Sequence, residues 1–294
     1  MSPDSRVPAV QPILRERKPE DAAAAGRICY EAFKSIAERH NFAPDFPDPE
    51  AAIGLMEHLV SRADIHGVMA EAAGRVIGSN FLWEDGAVAG VGPITIDPAA
   101  QNQGLGRRLM EAVLERARER GIPAVRLLQA AYHNRSMSLY TKLGFEVREL
   151  LSVIQGPALN LRAAGHDVRA ACAADAEAAD ALCRRVHGHV RAGELRGAIA
   201  QGAAMVVERG GRITGYTTGI GFFGHAVAQT NEDLQALIGA APSFAGPGFM
   251  LPTRNSALLR WCLAHSLTIV QPMTLMTMGP YQEPQGAYLP SILY

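Results

Sequence analysis

Two glycines stand where a predicted strand runs into a predicted helix. Residues 94–97 have the apolar character of a strand end, and Gly104 and Gly106 follow just before a long helical pattern. Glycine lacks a Cβ atom, so a phosphate can approach its backbone N–H group closely. The first turn of a helix also offers unpaired N–H donors and a partial positive charge. The spacing predicts either a pyrophosphate site, with Arg107 and Arg108 at its rim, or an ordinary strand-to-helix turn.

A second group of polar residues begins where a later strand ends. Asn134 follows that predicted strand, and the short helix after it carries Tyr140. Gly144 and Phe145 close the segment. In this order the two segments resemble the GNAT superfamily of N-acetyltransferases. The first segment is Gln101-x-x-Gly104-x-Gly106, and the second is Asn134…Tyr140-x-Lys142-x-Gly144-Phe145. The resemblance covers the first half of the chain, and the paired motifs are more specific than the glycines alone.

The resemblance implies a fold, a cofactor and a set of contacts. In this family a mixed sheet is splayed open between its fourth and fifth strands, and acetyl-CoA binds in the splay. The backbone of Ile94, Thr95 and Ile96 would meet the acetyl group and the pantetheine arm, and Asn134 would contact the pantetheine side. The remaining cofactor-binding positions implied are Gln101, Gln103, Gly104, Leu105, Gly106, Arg107 and Arg108.

The resemblance also implies a catalytic acid. Tyr140 stands where the family often has one, and a phenol with an ordinary pKa of about 10 can protonate a departing thiolate. A backbone N–H group beside the splay would stabilise the oxyanion. The general base stays open among Glu84, Asp85 and His133, each of which also fits a surface or turn position.

These residues predict an N-acetyltransferase that moves acetyl from acetyl-CoA to a primary amine by direct sequential attack. The acceptor, a small molecule or a peptide amine, is left open, as is a non-catalytic acyl-CoA sensor or scaffold. A nucleotide-binding protein is disfavoured because the glycines lack the Gly-Lys-Ser/Thr of a P-loop and the third glycine of a dinucleotide fingerprint. The sequence predicts no bound metal.

The predicted elements of the first half alternate between strands and helices. They come in the order of a strand over 12–17, a helix starting at 19–21, a hairpin over 66–83, a strand over 88–96 and a helix over 103–120. The spacing of Ala24, Ile28, Ala32 and Ile36 predicts the buried face of the first helix. A strand over 125–129, a helix over 136–143 and a strand pair over 145–154 complete the half, and residues 41–52 are predicted to be a variable acceptor loop.

The chain also repeats itself. Arg15 and Asp21 are matched in order by Arg169 and Asp175, and the segment from Glu71 to Gly78 resembles 208–215. The predicted fold is therefore mixed α/β with two tandem GNAT-like domains, each a splayed mixed sheet flanked by helices. The first domain spans 1–157 and is catalytic, and the second spans 158–294.

The second domain is predicted to be a degenerate copy. Residues 226–228 align with 94–96, but no glycines follow, and Thr230 or Asn231 makes a good helix N-cap. Glu232 and Asp233 then place negative charge where a pyrophosphate would bind. Further on, Trp261 aligns with Tyr140, and His265-Ser266 replaces Gly144-Phe145. This domain would form one wall of the acceptor pocket or a homodimer contact.

Two other segments invite a functional interpretation. Cys183, His187 and His189 have metal-ligand types but no obvious fourth ligand, so core packing is favoured. The apolar tail ending at Tyr294 predicts a buried chain end that could lend its carboxylate to the acceptor site.

Composition excludes several classes. The chain has 294 residues with 28 Lys+Arg against 29 Asp+Glu, which argues against a non-specific nucleic-acid binder. A hydrophobic content of 48% supports packed cores, and no apolar run reaches the length of a membrane span. The four cysteines are too scattered for a disulfide framework. A cytoplasmic protein is predicted.

Overall fold

The fold was analysed in a computed structural model, which describes residues 11–84 and 86–293. The strands are β1 Ile13–Glu16, β2 Ile65–Ala72, β3 Arg75–Trp83, β4 Val88–Val91, β5 Thr95–Ile96, β6 Ala124–Ala130, β7 Glu146–Gln155, β8 Asp167–Ala170, β9 Met205–Arg209, β10 Arg212–Thr217, β11 Ala226–Ala228, β12 Phe249–Pro252, β13 Thr268–Met278 and β14 Ala287–Leu289. The helices are α1 Ala22–Arg39, α2 Pro49–Ser61, α3 Leu105–Glu119, α4 Asn134–Lys142, α5 Ala176–His187, α6 Ala192–Ala200, α7 Asn231–Ala240 and α8 Ser256–Ala264. This mixed α/β architecture confirms the predicted fold class.

The chain divides into two compact units. The first comprises residues 1–84 and 91–120, and the second comprises 85–90 and 121–294. These units do not follow the chain halves 1–157 and 158–294, because strands of both halves alternate within one sheet of the second unit.

The first unit is built on antiparallel strands. Strand β2 pairs with β1 and β3, and β3 also pairs with β5. Leu105, Leu109, Val113 and Ala117 of α3 are buried, as their four-residue spacing predicts. Phe81 and Met56 belong to the core that α1 and α2 cover.

Helix α1 buries a different face from the predicted one. Ala25, Cys29 and Ala37 are buried, whereas the stripe from Ala24 to Ile36 is half-buried. The prediction was wrong by one residue because α2 packs against α1. A Cβ atom on Gly26 would lie 2.5 Å from the Cα atom of Ile53.

Two other sequence predictions were wrong in this region. Residues 41–48 form no helix or strand, but α2 begins at Pro49, with the Asp48 carboxylate accepting a bond from the Ala51 N–H group at 2.8 Å. The strand predicted over 88–96 is divided into β4 and β5. The Gly92-Pro93 peptide bond between them is cis, and proline cannot donate a hydrogen bond to a strand ladder.

The second unit contains two sheets. In one, the order is β4-β6-β13-β7-β12, with β4 parallel to β6 and every other pair antiparallel. In the other, β14-β11-β10-β9-β8 form an antiparallel sheet. Residues 146–155 form one continuous strand rather than the predicted strand pair, because β7 has a hydrogen-bonded neighbour on each side.

The elements of the two halves follow the same order. Strand β1, a 3-10 turn and α1 are matched by β8, a 3-10 turn and α5, and the hairpin β2-β3 is matched by β9-β10. Strands β6 and β7 come from the first half, and β12 and β13 from the second. Strand β13 of the second half therefore lies between two strands of the first half, and β7 of the first half lies between two strands of the second. No helix in the described part of the chain is both long and apolar enough to cross a membrane.

Candidate active site

The glycine segment lies in the first unit and starts from β5. Thr95 is buried and its hydroxyl lies 3.2 Å from that of Ser79, while Ile94 and Ile96 are half-buried. Asp97 caps a short 3-10 turn by accepting the Ala99 N–H at 2.9 Å. The Gln101 side chain donates to the Ile96 carbonyl at 3.1 Å, so this glutamine fixes the turn that leads to α3.

Helix α3 begins directly after a left-handed glycine. Gly104 has φ 78° and occupies the N-cap position, where no side chain caps the helix. A Cβ atom on Gly104 would meet nothing within 4 Å, so its outer face is open. The first turn contains no acidic residue, and Gln103, Arg107 and Arg108 are exposed. Its amides are therefore suited to an anion.

In the second unit, β4 and β6 are paired over only part of their length. The parallel register ends at Gly90 opposite Arg126, whereas β6 continues to Ala130 along β13. The ladder between β4 and β6 therefore ends at Arg126, one residue before the end of β4. Arg126 is 6% exposed, and sequence reasoning missed it. A charged residue inside the apolar run from Ala124 to Leu128 was the signal available.

Helix α4 presents Asn134 at its first turn and Tyr140 near its end. Asn134 is exposed, and Tyr140 is buried. The Phe145 N–H donates to the Tyr140 carbonyl at 3.0 Å, and the Gly144 N–H donates to the Thr141 carbonyl at 3.1 Å. These bonds form a Schellman motif, with Gly144 at φ 98°. The Gly-Phe pair of the motif therefore ends the helix.

The Tyr140 phenol is shielded from water. Its ring lies edge-on to that of Phe145, with 6.2 Å between centroids. Burial raises the pKa of Tyr140 to about 12, against a smaller lowering by a hydrogen bond with Ser136. The phenol is thus fully protonated at neutral pH, which is the state that a general acid needs.

The candidate bases differ in their surroundings. The Glu84 carboxylate accepts two bonds from Arg116, at 2.6 and 3.1 Å, and lies 3.5 Å from Arg120. The Glu84 carboxylate is thus engaged by two arginines of the same unit. His133 precedes α4, and its Nδ1 atom hydrogen-bonds the Ser136 hydroxyl. Asp85 lies outside the described residues.

The start of α7 differs from that of α3. Thr230 is its N-cap, as predicted, and its hydroxyl accepts the Asp233 N–H at 3.3 Å. The Asp233 carboxylate in turn accepts the Thr230 N–H at 3.1 Å. This capping box satisfies the N–H groups of Thr230 and Asp233 from within the helix start. Glu232 and Asp233 add the predicted negative charge.

Helix α8 corrects the alignment of the two halves. The Leu267 N–H donates to the Cys262 carbonyl at 3.2 Å, and Ser266 has φ 62°. This repeats the Schellman motif of α4, so Cys262 rather than Trp261 corresponds to Tyr140. Ser266 and Leu267 correspond to Gly144 and Phe145. The alignment that placed His265-Ser266 there was therefore shifted by one residue.

The cysteine and histidines of the α5 region are packed rather than clustered as ligands. Cys183 lies in a hydrophobic core with Tyr216, and the rings of His187 and His189 are 5.8 Å apart. Within residues 11–84 and 86–293, no group of three metal-ligating side chains is close enough to hold an ion. The chain end is packed as far as it is described, with Ser291 buried, and Tyr294 lies outside the described residues.

Comparison with known proteins identifies the family. Residues 30–145 match the profile of the acetyltransferase (GNAT) family. The chain is 31% identical over 115 residues to IAA acetyltransferase of Azospirillum brasilense, a match that covers 38% of this chain and 75% of the relative. The chain belongs to the GNAT family of acetyltransferases. This confirms the enzyme class that the paired motifs predicted.

Another relative matches a shorter part of the chain. Mycothiol acetyltransferase of Nocardia farcinica is 44% identical over 80 residues, or 25% of this chain and 26% of that protein. The chain thus matches about a quarter of the length of this relative. A solved structure from Pyrococcus horikoshii, assigned to the acetyltransferases, shares 17% identity with a TM-score of 0.73, covering 98% of this chain and 97% of its own. At that identity the likeness shows the fold alone.

Proposed function

We propose that this protein is an N-acetyltransferase that transfers acetyl from acetyl-CoA to a primary amine. The observation that carries the proposal is the start of α3, where a left-handed Gly104 precedes a first turn with neither a capping side chain nor an acidic residue. The amides around Gln103 to Arg108 bind the pyrophosphate of CoA, and Arg107 and Arg108 add positive charge. The family motif supports this assignment.

Tyr140 is the proposed general acid. The amine attacks the thioester carbonyl directly, and the C–S bond breaks as the tetrahedral intermediate collapses. The departing thiolate takes the phenolic proton, and the proton that the attacking nitrogen loses then returns to the phenolate. The family motif and the protonated, buried phenol support this role. Asn134, exposed at the start of α4, binds the pantetheine arm.

The two halves are proposed to be copies of one ancestral unit, over 1–157 and 158–294. Arg15 pairs with Asp21 and Glu71, each at 2.7 Å. Arg169 pairs in the same way with Asp175, at 2.7 Å, and with Glu208. The repeated order of elements also supports the duplication.

The second copy is proposed to have lost CoA binding. Its capping box and first-turn acids support this, since an already satisfied, negatively charged helix end repels a pyrophosphate. One CoA per chain is therefore expected.

A panel of primary amines, assayed by release of free thiol from acetyl-CoA, tests the proposal. We expect acetyl-dependent thiol release with at least one amine, and calorimetry should find one CoA site per chain. CoA binding without turnover on any amine would favour the acyl-CoA sensor. Absence of CoA binding would overturn both functions.

A further inference from the structure

A chain of three hydrogen-bonded side chains begins at the N-terminus of α4. His133 is the N-cap residue, and its Nδ1 atom is hydrogen-bonded to the Ser136 hydroxyl. That hydroxyl is in turn hydrogen-bonded to the phenol of Tyr140. All three residues belong to the second unit. Ser136 therefore connects the imidazole with the proposed acid.

The spacing on the helix brings the serine to the phenol. Residues four apart lie on the same face of an α-helix, and a long side chain points back towards the N-terminus of its helix. The side chain of Tyr140 therefore reaches over the turn that carries Ser136. Tyr140 is 6% exposed and Ser136 is half-buried, so their contact lies at the edge of the core. A hydrogen bond in such a place is stronger than one in water.

A buried phenol needs such a contact if it is to release a proton. Burial raises the pKa of Tyr140 because it disfavours the phenolate, and the bond with Ser136 opposes that effect. A hydrogen bond has this effect when it is donated to the oxygen that becomes negative. A bond donated to a charged oxygen is worth about a 10-fold or larger change in an equilibrium constant. The serine hydroxyl is thus placed to stabilise the phenolate.

The direction of the bonds follows from the number of protons. A serine hydroxyl has one proton to donate and can also accept. When the Nδ1–H group of His133 donates to the Ser136 oxygen, the serine proton is left for the Tyr140 oxygen. The phenol then keeps its own proton for an acceptor outside the chain. In the opposite direction Tyr140 would donate to Ser136, and the phenolic proton would be engaged.

We propose that Ser136, oriented by His133, is a positioning residue for the acid Tyr140. Its hydroxyl donates to the phenol oxygen, directs the phenolic proton to the departing thiolate, and stabilises the phenolate once that proton has been transferred. The O–H bond of Ser136 stays intact, and only the phenolic O–H bond breaks. The inference rests on the proposed function, in which Tyr140 is the acid.

Substitution of Ser136 tests this role in the full chain with acetyl-CoA and the fastest amine of the panel. Ser136→Ala should lower kcat about 10-fold, the loss of one bond to a charged oxygen, and leave the affinity for CoA unchanged. Ser136→Thr keeps a hydroxyl and should restore part of the loss. Ser138→Ala is the matched control, because Ser138 lies on the same helix and its hydroxyl donates to the Asn134 carbonyl at 2.8 Å. Equal loss in the Ser138 variant, or full activity in Ser136→Ala, would overturn the proposal.

Double variants show whether each residue acts through the next. In a Tyr140→Phe background no phenolate forms, so Ser136→Ala should lower kcat by less than about 2-fold. In a Ser136→Ala background, His133→Ala should likewise have less than about a 2-fold effect, although it lowers kcat when Ser136 is present. A larger loss in the first double variant would refute the proposal, and a larger loss in the second would remove His133 from it.

The phenol can also be observed without turnover. Fluorination lowers the pKa of a phenol, and the fluorine NMR signal of 3-fluorotyrosine, incorporated in place of Tyr140, reports its ionisation. Ser136→Ala should raise the pKa of this phenol by about 1, which corresponds to a 10-fold change, and Ser138→Ala should leave it unchanged. An unchanged pKa in Ser136→Ala would overturn the proposal.

This titration separates the inference from the proposed function. A pKa that is raised in Ser136→Ala, without thiol release by the wild-type chain on any amine, would leave the Ser136 contact standing and refute the transferase. Thiol release that depends on Tyr140 but not on Ser136 would uphold the transferase and refute the positioning role.

Discussion

At the scale of single residues, the proposed acid catalysis depends on the protonation state of Tyr140. Its pKa of about 12, raised by burial, keeps the phenol protonated at the pH at which an amine begins to lose its own proton. The acid and the nucleophile are therefore in their reactive states together at mildly alkaline pH.

Tyr140→Phe should lower kcat about 100-fold, the lower end of what a general acid contributes. The affinity for CoA should not change, since the ring and its contact with Phe145 are kept. Free-thiol release gives kcat, and calorimetry gives the affinity. Tyr30→Phe, on α1, is the control and should keep full activity. An unchanged kcat in Tyr140→Phe would remove the acid role.

The same phenol predicts the alkaline side of the pH profile. A general acid is lost as pH rises through its pKa, and for Tyr140 that pKa is raised to about 12. We expect kcat to rise as the amine deprotonates and not to fall up to about pH 10.5, which lies below the phenol pKa. A fall in kcat between pH 8 and 10 in wild type would contradict this assignment.

At the scale of elements, α3 and α7 show how one helix start can bind an anion or exclude it. At α7 the side chains of Thr230 and Asp233 accept two backbone N–H groups, whereas no side chain caps the start of α3. This difference between the two helix starts comes from a few local residues. A Gly-x-Gly segment precedes α3, and a Thr-x-x-Asp segment begins α7.

Gly104→Ala should raise the KM for acetyl-CoA at least 10-fold. The new Cβ projects into the open space at Gly104, where a phosphate oxygen would approach, and it strains a backbone with φ 78°. Gly74→Ala is the matched control, because Gly74 has φ 71° and also has nothing near its Cβ position. Both should lose about 1–2 kcal/mol of stability, but only the first should raise KM. Equal KM values would refute the pyrophosphate site.

At the scale of the whole molecule, the exchange of strands makes the halves interdependent. Strand β13 hydrogen-bonds to both β6 and β7, and β12 covers the other side of β7. Leu151 and Val153 of β7 are buried in a core with Met250 and Met273 of the second half. A catalytic domain cut at residue 157 would expose those strands and side chains.

The fragment 1–157 should therefore not fold by itself. Unpaired edges of β6 and β7 favour aggregation, so we expect no cooperative thermal transition and no CoA binding. Co-expression with 158–294 should restore both, and the intact chain serves as reference. A sharp transition with CoA binding in the isolated fragment would show that the swapped strands are dispensable.

The sequence by itself determined the elements and motifs that depend on near neighbours. The spacing of Leu105 to Ala117 sets the buried face of α3, and Thr230 is a cap because its hydroxyl reaches an amide only three residues away. The matched order of Arg15 and Asp21 with Arg169 and Asp175 was also visible in the sequence, and the structure shows that each pair forms an ion pair.

Only the tertiary structure decided which distant segments meet. An alternating or apolar run predicts a strand but does not specify its partner. The sequence of residues 268–278 therefore does not indicate that this strand lies between β6 and β7. The shifted face of α1 depends on α2, and the meeting of Arg126 with Tyr281 depends on strands paired across the whole chain. Burial and pairing are properties of the assembled sheet, and local patterns fix them only when the contacting residues are close in sequence.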